Sequence, residues 1–107
     1  MLDFIIVALP RSRTTWLSNW LTTDHSICLH EPLANCGDFE ELKLVLSRRR
    51  FVGLCDTALG WYAKRLHEFN CPIIVVNRNV HEVVASLQRM GRQGNAAAFL
   101  ADRLRTV

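Results

Sequence analysis

Short apolar runs alternate along this chain with stretches whose apolar residues recur every three or four positions. Phe4-Ile5-Ile6-Val7-Ala8 is the first run. An unbroken run of this kind suits a strand covered on both faces, as in a parallel sheet. Thr14 to Thr22 then reads as a helix with Trp16, Leu17, Trp20 and Leu21 on one face. Ser26-Ile27-Cys28-Leu29 predicts a brief second strand, followed by a loop with Pro32, Asn35 and Gly37. Asp38 and Glu41 have the spacing of an N-cap and its reciprocal partner. The helix they open runs to about Ser47 with Phe39, Leu42, Val45 and Leu46 inward, and Arg48-Arg49-Arg50 closes it as a solvated end that suits the helix dipole.

Phe51-Val52-Gly53-Leu54-Cys55 predicts a third strand. Thr57 to Phe69 predicts a helix on the spacing of Leu59, Tyr62, Leu66 and Phe69. Pro72 opens a fourth strand, Ile73 to Asn77. Val80, Val83, Val84, Leu87 and Met90 mark an amphipathic helix that Gly91 and Gly94 break. Asn95 to Arg105 is the last helix, with Phe99, Leu100 and Leu104 as its apolar face. Strand–helix alternation over 107 residues predicts a single three-layer α/β domain, residues 1–107, around a four-stranded parallel sheet.

Composition narrows the function classes. Half the residues are apolar, 21% are charged and the net charge is +3. That charge tolerates a small polyanionic ligand and is too weak to argue for nucleic acid. Phe4 to Leu9 is short for a secretory h-region and follows Asp3, and no stretch approaches the roughly 18 apolar residues of a membrane span. The expectation is a cytoplasmic protein with no membrane partner. Cys28, Cys36, Cys55 and Cys71 form no CxxC pair, and no fourth ligand joins Cys28, His30 and Cys36, so no metal site is expected.

The most informative segment is the turn after the first strand, Leu9-Pro10-Arg11-Ser12-Arg13-Thr14-Thr15-Trp16. Ligands of open α/β sheets sit at the carboxyl ends of strands, and a helix N-terminus offers unpaired N–H groups to phosphate. Arg11 and Arg13 add positive charge here, while Ser12, Thr14 and Thr15 add hydroxyl donors. The competing structural role is a helix start with solvated arginines. The turn has no Gly and no G-x-x-x-x-G-K-S/T pattern, which disfavours a nucleotide-triphosphate kinase.

Pro10 to Trp16 resembles the 5′-phosphosulfate loop of sulfotransferases, in which proline and a basic residue precede Ser-Gly-Thr-Thr and then tryptophan or leucine. The family's second signature is a strand ending in arginine with a serine eight positions on. Val75 to Ser86, with Arg78, Ser86 and the apolar pair Val83-Val84, is similar to it. The resemblance covers residues 4 to about 90. It implies a P-loop NTPase-like domain with strand order 2-3-1-4 that binds 3′-phosphoadenosine 5′-phosphosulfate as donor. By the same resemblance, backbone N–H groups around Ser12 to Thr15 and the hydroxyls of Thr14 and Thr15 hold the 5′-phosphate. Arg11 takes the place of the usual lysine beside the sulfonate, Trp16 stacks on adenine, and Arg78 and Ser86 bind the 3′-phosphate. Trp16 fits a second role equally well, as a core anchor beside Trp20. Arg13 stands where the family has glycine, as in short bacterial and phage sulfotransferase-like sequences.

Sulfuryl transfer needs a base at the carboxyl edge of the sheet. Glu31 is the leading candidate, with His30 orienting it or substituting for it. Asp56 is the next candidate, although a cap for the following helix is its more natural role. The acceptor is an unspecified small molecule or macromolecule carrying a hydroxyl or amine, and no metal is implied. Sulfotransferases are typically at least twice as long and carry an acceptor-binding region and a basic, glycine-rich C-terminal segment. The residues up to Val107 contain no such segment. A non-catalytic nucleotide-binding or interaction module therefore stands as the alternative, ahead of a small P-loop kinase. A homodimer that completes the pocket is compatible with so small a domain.

Overall fold

The structure, a computed structural model, describes residues 2–50, 52–92 and 94–107. Its sheet has four parallel strands: β1 (Leu2–Ala8), β2 (Ile27–His30), β3 (Val52–Asp56) and β4 (Ile73–Val76). Their order is β2-β3-β1-β4. The two central strands are the most buried: every residue of β3 is buried, and so are Ile5 to Ala8 of β1. Phe51, expected to begin the third strand, lies outside the described residues. β4 is also a continuous apolar run, but as an edge strand it leaves Ile74 about half exposed.

Helices α1 (Thr14–Leu21), α2 (Phe39–Ser47), α3 (Val80–Arg89) and α4 (Asn95–Leu104) cover the sheet, with 3-10 segments at Pro32–Asn35 and Ala58–Phe69. Alternate residues of β1 face opposite layers. Ile5, Val7 and Leu9 join a large cluster with Phe39, Leu54 and Leu59. Ile6 packs with Cys28 and Cys55 in a smaller one, against Leu17 and Leu21 of α1. Gly53 is required on this smaller side, since a Cβ there would lie 2.2 Å from the Phe4 ring.

Capping explains two helix starts. Asp38 Oδ1 accepts from the Glu41 N–H at 2.8 Å, and Glu41 Oε2 accepts from the N–H of Gly37 at 2.6 Å. The reciprocal bond of the predicted capping box thus falls one residue before the cap. Asn79 Oδ1 accepts from the N–H groups of His81 and Glu82 and opens α3.

Several predicted faces need correction. Thr14 and Ser18 are the buried residues of α1, while Trp16 and Trp20 point outward and stack on each other with centroids 5.7 Å apart. Their four-residue spacing does form one ridge, but the ridge borders solvent because small residues let the helix approach the sheet. Val45, Met90 and Phe99, expected inward, are also exposed. The segment expected as a helix from Thr57 to Phe69 runs Ala58–Phe69 in 3-10 form, with a non-helical Tyr62. Arg103 supplies a reason. Its guanidinium donates to the carbonyls of Gly60 and Trp61 at 3.2 and 2.7 Å, drawing both toward α4 and away from an α-helical ladder.

Candidate functional site

Strand order locates the site. From β1 the chain moves to one side, to β2 and β3, and β4 then pairs with the other side of β1. Such a reversal opens a crevice at the carboxyl ends of the strands. The crevice here is a cleft of about 730 Å³, within the ordinary range for small-molecule sites.

The loop after β1 forms its floor. Arg11 has φ 64° and Arg13 has φ 60°, both in the left-handed region. The helical residue Thr14 follows Arg13 directly. A left-handed residue followed by a right-handed one turns successive N–H groups to the same side, a concavity suited to an anion. No side chain caps α1, whereas Asp38 and Asn79 cap α2 and α3. The first-turn N–H groups of α1 thus have no side-chain acceptor at the cap. The buried Ser12 Oγ has no hydrogen-bond partner among the described residues. A buried hydroxyl without a partner costs about 1–3 kcal/mol.

The other predicted residues gather around this floor. Arg11 Nε donates to the Ser86 Oγ at 3.0 Å, joining two segments 75 positions apart. Arg78 lines the same cleft from the turn before α3 and lies 3.6 Å from Glu82 in the first turn of that helix. His30 Nε2 lies 3.2 Å from the Thr14 hydroxyl and 3.1 Å from that of Thr15. It is 4.0 Å from Glu31 Oε1. The Glu31 carboxylate accepts from the N–H and hydroxyl of Thr57 at 3.0 to 3.2 Å. Trp16 lies on the cleft wall with 58% of its surface exposed, which removes the core-anchor role.

Asp56 neighbours Glu31 but does not line the cleft, and it is fully buried. Its two oxygens accept from the N–H groups of Leu33 and Ala58, each at 2.8 Å. Burial pushes its carboxyl up to about 6, and the neighbouring Glu31 carboxylate adds to the rise against the pull of the two N–H donors. Its observed role is to hold two backbone turns.

Among the described residues, three of the four non-glycine residues with positive φ, namely Arg11, Arg13 and Glu31, line the cleft. Each left-handed residue costs about 1–2 kcal/mol, and such strain collects at functional sites. Arg13→Gly should therefore raise stability by about 1 kcal/mol, a gain of about 4–8 °C in Tm for a domain near this size. Thermal unfolding checks it, and an unchanged or lower Tm would mean that the Arg13 side chain offsets its backbone strain.

Sequence reasoning missed four further residues that line the cleft, Thr57, Arg89, Met90 and Arg92. Helical arithmetic offered a signal, since Arg89 and Met90 follow Ser86 by three and four positions and share its face. Among the described residues no group of three or more His, Cys, Asp or Glu is placed to hold a metal ion, and no helix is long and apolar enough to cross a membrane. Comparison with protein-family models, with curated proteins and with solved structures finds no match to this chain.

Proposed function

We propose that the cleft binds an adenine nucleotide phosphorylated at both the 3′ and 5′ positions, and that the protein is a P-loop sulfotransferase-like enzyme using 3′-phosphoadenosine 5′-phosphosulfate. The observation that carries the reading is the 3.0 Å bond from Arg11 to Ser86. It joins the two segments that resemble the family's 5′- and 3′-phosphate signatures, within one cleft. The unpartnered Ser12 hydroxyl, the uncapped start of α1 and the arginines Arg11, Arg13 and Arg78 fit a multiply anionic ligand.

On this reading the donor brings the sulfuryl group, and the chain's residues position it. Loop N–H groups with the hydroxyls of Thr14 and Thr15 hold the 5′-phosphate, and Arg78 with Ser86 holds the 3′-phosphate. Trp16 offers its exposed ring to adenine. The Arg11 guanidinium compensates the charge that develops on the departing nucleotide. Glu31, fixed by Thr57, or His30 takes the proton from an acceptor hydroxyl or amine.

A second reading has its own support. Thr57 engages both oxygens of Glu31, and two threonine hydroxyls engage His30 Nε2. Both candidate bases thus carry structural bonds, as they would in a module that binds the nucleotide without catalysis. Sulfuryl transfer above background counts against this second reading.

Titration calorimetry with 3′-phosphoadenosine 5′-phosphate and adenosine 5′-phosphate tests the binding claim. The native protein should prefer the bisphosphate at least tenfold, and Arg78→Ala should lose most of that preference, as expected for one charge-assisted contact worth about 1.5–3 kcal/mol. No binding of the bisphosphate at millimolar concentration would sink the proposal.

A further inference from the structure

The cleft holds more positive charge than the proposed nucleotide contacts use. Five arginines line the cleft: Arg11, Arg13, Arg78, Arg89 and Arg92. Its one carboxylate, Glu31, is bonded to Thr57. Among the described residues only Arg78 has a carboxylate nearby, and no acidic side chain lies within ion-pair distance of the other four. The whole chain has a net charge of only +3, so its positive charge is concentrated here. Like charges gathered in one concave site repel one another until an anion enters.

The backbone that carries Arg89 and Arg92 is also fixed. Helix α3 ends in a Schellman turn: the N–H of Arg92 donates to the Leu87 carbonyl at 2.9 Å and that of Gly91 to the Gln88 carbonyl at 3.0 Å. Gly91 takes φ 73°, the conformation this turn requires. A helix C-terminus attracts cations through its dipole, and that attraction alone would leave both side chains in open solvent. Here both line the cleft, together with the half-exposed Met90.

We infer that Arg89 and Arg92 form an acceptor subsite, and that the acceptor carries an anionic group of its own beside the hydroxyl or amine that reacts. The inference rests on the nucleotide reading above, which assigns Arg11, Arg13 and Arg78 to the donor. In the transfer step the acceptor oxygen or nitrogen forms a bond to sulfur as the bond from sulfur to the bridging phosphate oxygen breaks. The acceptor proton passes to Glu31 or His30, and the nucleotide leaves as the 3′,5′-bisphosphate. The guanidinium pair anchors the acceptor's anion, and Met90 offers an apolar contact to the part between.

A matched pair of probes tests this: 4-hydroxybenzoate and 4-hydroxybenzamide, which share shape and hydroxyl and differ in charge. Each is titrated into protein saturated with 3′-phosphoadenosine 5′-phosphate. The native protein should bind the benzoate at least tenfold more tightly. The double variant R89A/R92A should bring the two within about twofold and leave nucleotide affinity unchanged, while R89K/R92K should keep part of the preference. Equal binding of the two probes to native protein overturns the inference. So does a tenfold loss of nucleotide affinity in R89A/R92A, which would assign the pair to the donor. If native protein does not bind the nucleotide, the donor reading fails by itself. The same titrations on nucleotide-free protein then decide whether the arginine pair selects an anion.

Discussion

Arg11→Ala should weaken binding of 3′-phosphoadenosine 5′-phosphate about 100-fold and leave the fold intact. Arg11 is the point at which the two halves of the site meet. Its Nε is committed to Ser86 at 3.0 Å. The geometry of a guanidinium leaves two further nitrogens to donate to oxyanions. Alanine removes the bridge to Ser86 and the anion donors together. Charge-assisted hydrogen bonds contribute about 1.5–3 kcal/mol each, so two of them at the lower end of that range give a loss of this size. Stability should change little, because Arg11 is exposed and makes no ion pair with any described residue.

The conservative variants sharpen this result. Arg11→Lys keeps the charge but cannot donate to Ser86 and span an oxyanion at the same time. It should fall between the native protein and Arg11→Ala. Ser86→Ala removes the acceptor and frees the guanidinium, so its loss should be smaller, about tenfold. Calorimetry on the three variants checks the order, with circular dichroism reporting on the fold. If Arg11→Ala binds within twofold of the native protein, the loop is not the phosphate site and the resemblance carries no function.

The sequence shows the sheet more plainly than the helices because strand burial has a strong local signature. Phe4 to Ala8 has no polar residue, and the structure places it at the centre of the sheet. Helix faces depend on what packs against them. The Trp16 and Trp20 ridge is apolar, yet no described helix or strand covers it, and sequence periodicity cannot tell an outward apolar ridge from an inward one. The Ala58–Phe69 segment carries a good helical pattern, but a distant arginine, Arg103, captures its carbonyls.

The same distinction applies to the site. Residues within one local motif, from Arg11 to Thr15, are legible together because a strand end and a helix start bring them together. The pairing of Arg11 with Ser86 follows from two local motifs once β1 and β4 are neighbours. Contacts that require the β2 and β3 ends to meet are not legible locally. The bond from Glu31 to Thr57 spans 26 positions, and no spacing rule connects the two. The left-handed backbone at Arg11 and Arg13 was hidden for another reason. Arginine has no preference for that conformation, so only the comparison with a glycine position pointed to it, and only at Arg13.

Asp56→Ala should be the most destabilising change in the region, and its cost should grow as the pH falls. The carboxyl is fully buried and accepts two backbone N–H groups, from Leu33 and Ala58. Alanine strands both donors, at about 1–3 kcal/mol each, but also removes a buried charge. A net loss of about 2–3 kcal/mol at pH 7 follows, a large share of the 5–15 kcal/mol typical of a domain. The folded protein holds the Asp56 proton up to about pH 6, above the ordinary value of 3.8. Folding therefore favours proton uptake between these values. The native protein gains stability from this group as the pH falls from 6 to 4 and loses it as the pH rises again, by on the order of 2–3 kcal/mol. Asp56→Ala has no such proton to bind, so the gap between the two proteins should widen to about 4–5 kcal/mol near pH 4. Asp56→Asn keeps one acceptor and should cost less at pH 7 while losing the same pH dependence. Urea unfolding at pH 7, 6, 5 and 4 measures the gap directly. A gap that narrows on acidification would mean that the ionised form is the favoured one, held by Leu33 and Ala58 more strongly than burial opposes it.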